Sequence, residues 1–215
     1  MKKYIKLLIL PILVFVTMII ILITNVPRLE YKYSDDYNGY LVTKAIGNAE
    51  SYSIKDNYNN KAVVGIAESA FKNHNNLKKI NLPDSIKFIG RMAFYDCNNL
   101  EEINLNNVIE IERNAFSYCE KIEKIELNAL YIGASAFYKC NNLKEIILND
   151  TESIGDMAFS NTKIKTINIP YDCTYLGDGS FNNCFLLETI NVYGPNLKNN
   201  TYLKSLAIVN YISKE

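Results

Sequence analysis

The sequence predicts an α+β solenoid, a right-handed stack of short parallel strands with short helical turns on its convex side, preceded by an N-terminal transmembrane helix. Three observations predict it. Phe71, Phe94, Phe116, Phe137, Phe159 and Phe181 are separated by 23, 22, 21, 22 and 22 residues. Such near-constant spacing marks one unit repeated along an axis, not a single closed core. Pairs of apolar residues recur at period two in register with those phenylalanines, and the run from Leu7 to Pro27 carries no charge.

Lys2, Lys3 and Lys6 open the chain ahead of its first acidic residue, Glu30. Residues 7–27 then form an almost wholly apolar segment of 21 positions, against about 20 needed to cross roughly 30 Å of hydrocarbon. The lysines hold residues 1–6 in the cytoplasm and put the rest of the chain outside. The alternative is a cleaved signal peptide, whose apolar region is shorter, about 7–15 residues, and ends in a small-x-small site. Here the run ends in Ile-Thr-Asn-Val-Pro-Arg, with no Ala or Gly near it, and no cysteine precedes Cys97 to carry a lipid. Pro11 falls within the first two turns of the run, where it does limited damage to a helix. The expected protein is single-pass, N-terminus cytoplasmic and repeats outside, or secreted if the segment is cleaved.

The body is ordinary in composition, with 48% hydrophobic and 21% charged residues, so long disorder is not expected. Removing the three N-terminal lysines from 23 basic residues leaves 20 against 23 acidic, near −3. No basic tract suggests nucleic acid as a partner.

One unit shows how the repeat is built. From Leu77, a short strand points Ile80 and Leu82 inward, and equivalent pairs follow at Ile103/Leu105, Ile125/Leu127, Ile146/Leu148, Ile167/Ile169 and Ile190/Val192. Pro83 and Pro170 turn the chain. A second extended piece ends in Ile89-Gly90, Ile132-Gly133, Ile154-Gly155 and Leu176-Gly177, with Ile66-Ala67 and Ile111-Glu112 as degenerate versions; the glycine reads as turn punctuation. Ile89, Ala93 and Cys97 then stand at i, i+4 and i+8 beside Phe94, which predicts about two helical turns. Asn98-Asn99 and Asn141-Asn142 close their units, since Asn tolerates the left-handed conformation of a tight turn.

The pattern Leu-x-x-Ile-x-Leu-Pro-x-Ser-Ile-x-x-Ile-Gly-x-x-Ala-Phe-x-x-Cys resembles the BspA-like, or Treponema-type, leucine-rich repeat, over residues about 40–192. The stretch from Gly39 to Ile66 is similar to that family's lead-in hairpin. The resemblance implies a cell-surface protein, with attachment or protein binding as its work. By this division residues 28–65 are linker and N-terminal cap with the lead-in, 66–192 the leucine-rich repeats and 193–215 a C-terminal cap. Asn200-Thr201 would cap a helix that docks Leu203, Leu206, Val209 and Ile212 on the last coil, because both ends of a stacked sheet must be covered.

Chemistry is poorly supplied, and no catalytic residue, cofactor, metal site or small-molecule substrate is expected. The one histidine, His74, occupies the slot filled by Cys97, Cys119, Cys140 and Cys184 in other units, whereas a Cys–His nucleophile pair needs a histidine oriented by a third group. Spacings of 22, 21 and 44 between those cysteines are repeat periods, not ligand spacings. They read as small inward thiols under the helical turn, with disulfides between neighbouring coils as the alternative open to an exported chain. Thr162 interrupts the column, and Cys173 aligns with the inward Ile86. No phosphate-binding glycine loop is present.

The outward rows of the main sheet are the candidate binding surface. The first row is Lys79, Glu102, Lys124, Glu145, Thr166 and Thr189, whose alternating charges at about 4.8 Å strand spacing predict a self-neutralising ladder. The second is Asn81, Asn104, Glu126, Ile147, Asn168 and Asn191, an asparagine-rich row that suits either ligand hydrogen bonds or structural stacking. The candidate concave-face contacts are therefore Lys79, Asn81, Glu102, Asn104, Lys124, Glu126, Glu145, Ile147, Asn168 and Asn191. Tyr95, Tyr118 and Tyr138 follow the phenylalanine on the opposite side, where tyrosine serves recognition or fills gaps between coils. The expected function is a membrane-anchored interaction module for a protein or glycan ligand; the alternative is a structural accessory of another envelope protein.

Overall fold

The computed structural model of the chain describes residues 12–18, 26–206 and 208–212. Residues 12–18 are helical, but the remainder of the expected span, apart from Val26 and Pro27, lies outside the described residues, as does the stub 1–6. Among the described residues no helix is long and apolar enough to cross a membrane.

The body opens with an antiparallel hairpin, β1 (Arg28–Ser34) and β2 (Gly39–Ile46). After β3 (Ser51–Ser53), a tight hairpin joins β4 (Asn57–Tyr58) to β5 (Lys61–Ile66) through Asn59 and Asn60, at φ +46° and +61°. Two consecutive left-handed residues suit the twist of a two-residue hairpin, and asparagine tolerates them. From there each coil supplies a first strand, a second strand and a turn segment.

The first strands are β6 (Lys79–Asn81), β8 (Glu102–Ile103), β10 (Lys124–Leu127), β12 (Glu145–Leu148), β14 (Thr166–Ile169) and β16 (Thr189–Val192). Between them in sequence lie the second strands β7 (Phe88–Ile89), β9 (Glu110–Ile111), β11 (Tyr131–Ile132), β13 (Ser153–Ile154) and β15 (Tyr175–Leu176). Every pairing between successive coils is parallel and in register, as Ile125 with Ile146 and Ile132 with Ile154 show. The predicted inward pairs are buried, with Leu82 and Ile103 only partly so.

The uninterrupted sheet is not the one expected. The second strands form it, in the order β1-β2-β5-β7-β9-β11-β13-β15 with β4 attached to β5, so the N-terminal hairpin extends the same sheet. The first strands break into β3-β6-β8, β10-β12 and β14-β16, the last joined by a C-terminal strand.

The turn segments are not helices, which corrects the expected convex side. In each coil two residues four apart are left-handed: Met92 and Asp96, Asn114 and Tyr118, Ser135 and Lys139, Met157 and Asn161, Gly179 and Asn183. They fold the segment into successive tight turns, with Ala93, Tyr95 and Cys97 donating to carbonyls three residues back at 3.1, 3.1 and 3.2 Å. The intervening N–H groups point along the stack: Met92 donates to Arg113 O at 3.1 Å, Phe94 to Ala115 O at 2.8 Å and Asp96 to Ser117 O at 2.9 Å. A four-residue repeat of turns brings Ile89, Ala93 and Cys97 to one side, as a helix would, so the burial pattern alone does not separate the two. The closing asparagines are not the left-handed ones. Asn99 and Asn142 instead donate their side-chain amides to the Asn75 and Glu120 carbonyls of the preceding coil, at 2.7 and 2.9 Å.

The core is a file of aromatic rings. Neighbouring rings from Phe71 to Phe181 stack at centroid distances of 5.0, 5.1, 5.1, 5.5 and 6.0 Å, all within 14° of parallel. Offset stacking adds about 0.5–1.5 kcal/mol per pair beyond burial. The glycines after β7, β11, β13 and β15 serve this spacing and not a turn: a Cβ on Gly133 would sit 2.6 Å from Arg113 N and Glu112 C of the coil below, and its φ is not left-handed.

The C-terminal end also departs from expectation. Asn200 caps a single helical turn, Thr201–Lys204, its side chain accepting from Leu203 N–H at 2.9 Å, and Leu203 is buried. The helix then stops. Val209 lies on strand β17 (Val209–Tyr211), which pairs parallel to β16 and closes its edge, while Ile212 is exposed. Backbone pairing satisfies the open edge of β16, which a longer helix would leave bare.

Candidate functional site

The outward rows of β6, β8, β10, β12, β14 and β16 lie on one face, and most of their polar groups are engaged with one another. In the first row Lys79 pairs with Glu102, and Lys124 pairs with Glu145 at 2.6 Å. Lys78–Glu50 and Lys144–Glu123 run alongside at 3.0 and 3.2 Å. All these side chains are about half exposed or more, so each pair contributes about 0–1 kcal/mol. The expected continuous ladder is broken: among the described residues no ion pair joins Glu102 to Lys124. The charges pair within each short sheet and not across the break between β8 and β10.

The second row is mainly self-satisfied. Asn191 donates to Asn168 Oδ1 at 2.9 Å, and Asn210 on β17, a residue the sequence pattern did not single out, donates to Asn191 Oδ1 at 3.2 Å. Asn81 donates to Ser53 Oγ, and Glu126 accepts from the Asn149 amide, both at 3.3 Å. Asn104 is turned to its own chain, its Oδ1 accepting from Asn106 N–H at 3.0 Å. Ile147 is half-buried. Stacking therefore accounts for Asn168 and Asn191.

Five of the ten expected contacts converge. Lys79, Asn81, Glu102, Asn104 and Lys124, with Ile80, Glu101 and Ile103, line an open groove of about 380 Å³ over β6 and β8, bounded on the β10 side by Lys124. Glu145, Glu126, Ile147, Asn168 and Asn191 lie beyond it, farther along the stack. Glu101 escaped the sequence reading because nothing in its own strand marks it; the signal is the missing neighbour.

The remaining chemistry-bearing residues are structural. All five cysteines are free and buried, so the disulfide alternative is not realised. The thiols of Cys97, Cys119, Cys140 and Cys184 donate to the carbonyls of Phe71, Phe94, Phe116 and Phe159 in the coil below, at 3.0–3.2 Å. Thr162 uses its hydroxyl on the Phe159 carbonyl at 2.9 Å. Burial pushes the Cys97 thiol up from 9.0 to about 12 and raises those of Cys119 and Cys140 as well. A thiol held neutral when folded and free to ionise when unfolded costs nothing below pH 9; stability falls as pH rises from there toward 12. Iodoacetamide at pH 8.5 should leave these thiols unlabelled in the native protein and label all five cysteines in denaturant. Rapid alkylation of Cys119 before unfolding would contradict its burial.

His74 sits edge-on to Tyr52 and Phe71, at 6.0 and 5.9 Å, and neither ring nitrogen has a hydrogen-bond partner, so nothing orients it as a base. Tyr95, Tyr118 and Tyr138 pack edge to face at 5.3 and 5.7 Å, with Lys139 Nζ 5.1 Å from the Tyr118 ring centre, which fills the space between coils. Among the described residues no cluster of three or more His, Cys, Asp or Glu side chains could hold a metal ion.

Residues 64–188 match the family model of the BspA type leucine rich repeat region, in 6 copies. No curated protein matches the chain. Among solved structures it is similar to a leucine rich cell surface protein of Faecalibacterium prausnitzii, with 25% identity and a TM-score of 0.63 over 78% of this chain and 54% of that one. It is also similar to the leucine rich repeat protein of T. pallidum, at 21% identity and a TM-score of 0.55 over 86% and 80% of the two chains. The pneumococcal vaccine antigen PcpA aligns at 20% identity and a TM-score of 0.52 over 79% of this chain and 49% of that one. The chain thus spans about half the length of the F. prausnitzii protein and of PcpA.

Proposed function

We propose that this chain, which belongs to the BspA-type leucine-rich-repeat family, is a protein-interaction module held at the outer surface of a membrane by residues 7–27. The observation that carries the reading is the groove at the broken strand face, where Lys79, Asn81, Glu102, Asn104 and Lys124 converge around half-buried Ile103. A solenoid works through such extended surfaces, because its core is filled by stacked side chains and encloses no pocket. The name of the F. prausnitzii relative, a cell surface protein, supports the same address for this chain, and so does the uncharged run behind three lysines. On this division residues 28–65 cap one end, 66–192 form the repeats and 193–215 cap the other.

The test is affinity capture with the full chain from detergent-solubilised membranes. A Lys79→Ser/Lys124→Ser variant removes both cations at the groove while leaving the core untouched, so its stability should fall by no more than about 1 kcal/mol per site, the most an exposed ion pair contributes. Recovery of the captured protein should fall at least ten-fold. Undiminished recovery would favour an accessory subunit that meets its partner through a cap or through residues 7–27.

A further inference from the structure

We propose that Asn104 and Asn106 open the strand face between β8 and β10 into a slot that receives an extended polypeptide segment as an added strand. The proposal rests on the interaction-module reading and names the kind of partner it takes.

The opening has a local cause. Coils that begin Ile80-Asn81-Leu82 and Ile167-Asn168-Ile169 continue with Pro83 and Pro170. Proline has no N–H, so the asparagine two residues earlier has no local donor to fold back on. The second coil reads Ile103-Asn104-Leu105-Asn106, and there the Asn106 N–H is available and bonds to Asn104 Oδ1 at 3.0 Å. A side chain bound to its own backbone competes with the sheet ladder. Accordingly β8 ends at Ile103, whereas β10, β12, β14 and β16, in which no side chain at the Asn104 position bonds to its own backbone, run two residues further.

The consequence is a missing set of backbone bonds. At the equivalent steps on either side, Glu102 N–H donates to Lys78 O at 3.1 Å and Glu145 N–H to Glu123 O at 3.3 Å. By the alternation of a parallel ladder, Lys124 N–H should reach the Glu101 carbonyl and Leu105 N–H the Glu126 carbonyl. Neither bond forms, and β8 is paired only with β6 and β10 only with β12. Two strand edges thus lie beside the groove with these donors and acceptors unused. Unpaired strand edges are templates for another strand. A ligand that satisfies both must carry N–H and C=O groups at main-chain spacing, which is the property of an extended peptide and not of a glycan. Glu101 lines the groove and makes no ion pair among the described residues, so a segment with a lysine or arginine beside it fits best.

The experiment closes the slot by two routes, one of which leaves every side chain of the groove in place. Asn106→Pro restores the Asn-Leu-Pro sequence of the first coil, and Asn104→Val removes the acceptor by an independent route. In full chain held in detergent, residue-resolved amide exchange should show Lys124 and Leu105 slowed at least ten-fold in either variant. A phage-displayed library of linear dodecapeptides, panned on the wild-type chain, should yield peptides that slow the same two amides and lose at least ten-fold in affinity for N106P. Methylation of alternate backbone nitrogens in those peptides should abolish binding. The proposal is overturned if no peptide is enriched, if peptides bind wild type and N106P equally, or if Lys124 exchange is unchanged in both variants. A membrane partner captured equally by wild type and N106P, yet lost from the Lys79→Ser/Lys124→Ser chain, would remove the slot and leave the interaction module standing.

Discussion

Replacing Phe116 by alanine is expected to cost about 3–5 kcal/mol, the largest effect of any single substitution considered. Phe116 has no exposed surface and is stacked on both sides, 5.1 Å from Phe94 and 5.1 Å from Phe137. Its carbonyl also receives the Cys140 thiol at 3.2 Å, so a shift of this coil is felt in the next. The cavity falls in the middle of the stack, where neither neighbour can move inward without breaking its own pairing. Phe181→Ala should cost less, because Phe181 meets only one ring of the file, Phe159 at 6.0 Å, and lies under the single helical turn of the C-terminal cap. Denaturant titration of the two variants gives the comparison. Equal losses would mean that end and centre are packed alike, against the geometry of the file.

Gly133→Ala is the second large effect, at about 1–3 kcal/mol. The added methyl meets main-chain atoms, Arg113 N and Glu112 C at 2.6 Å and Ile111 O at 3.0 Å, and backbone cannot rotate away as a side chain can. The same column holds Glu112 one coil earlier, flanked by Gly90 and Gly133. Gly133→Ala places two Cβ-bearing coils in succession. The expected reading is a lowered denaturation midpoint with an unchanged slope, since the loss is of packing and not of cooperativity.

The stack was legible because each coil must place the same side chains at the same points, and that demand is written as a period. Inward isoleucines, phenylalanines and thiols are dictated by burial, which a sequence shows directly. The turn side was not legible. Met92, Tyr118 and Lys139 have no intrinsic preference for left-handed backbone, which costs such residues about 1–2 kcal/mol each. They adopt it because alternate N–H groups then reach the next coil, a tertiary reward that local propensity does not contain. The predicted helix therefore had the right buried positions and the wrong backbone.

The candidate surface was half legible for a related reason. Alternating charge on Lys79, Glu102, Lys124 and Glu145 correctly anticipated which residues share a face, and two of the three expected pairs form. The third fails where Asn104 turns back on the Asn106 N–H and β8 stops short, a bond that the residue types alone do not announce, since Asn191 has the Tyr193 N–H at the same offset and does not take it. Asn168 and Asn191 read equally as ligands or as a ladder; the ladder is present as their mutual hydrogen bond, continued by Asn210.

Amide exchange measured residue by residue on the full chain tests the stacked-coil account most directly. It predicts slow exchange at Phe94, Phe116, Phe137 and Phe159, whose N–H groups bond to Ala115, Ala136, Ala158 and Ser180 of the following coil at 2.8–2.9 Å, together with fast exchange at Lys124 and Leu105. Rapid exchange at the four phenylalanine amides would show that the coils are not bonded to one another, and the array as described would not exist.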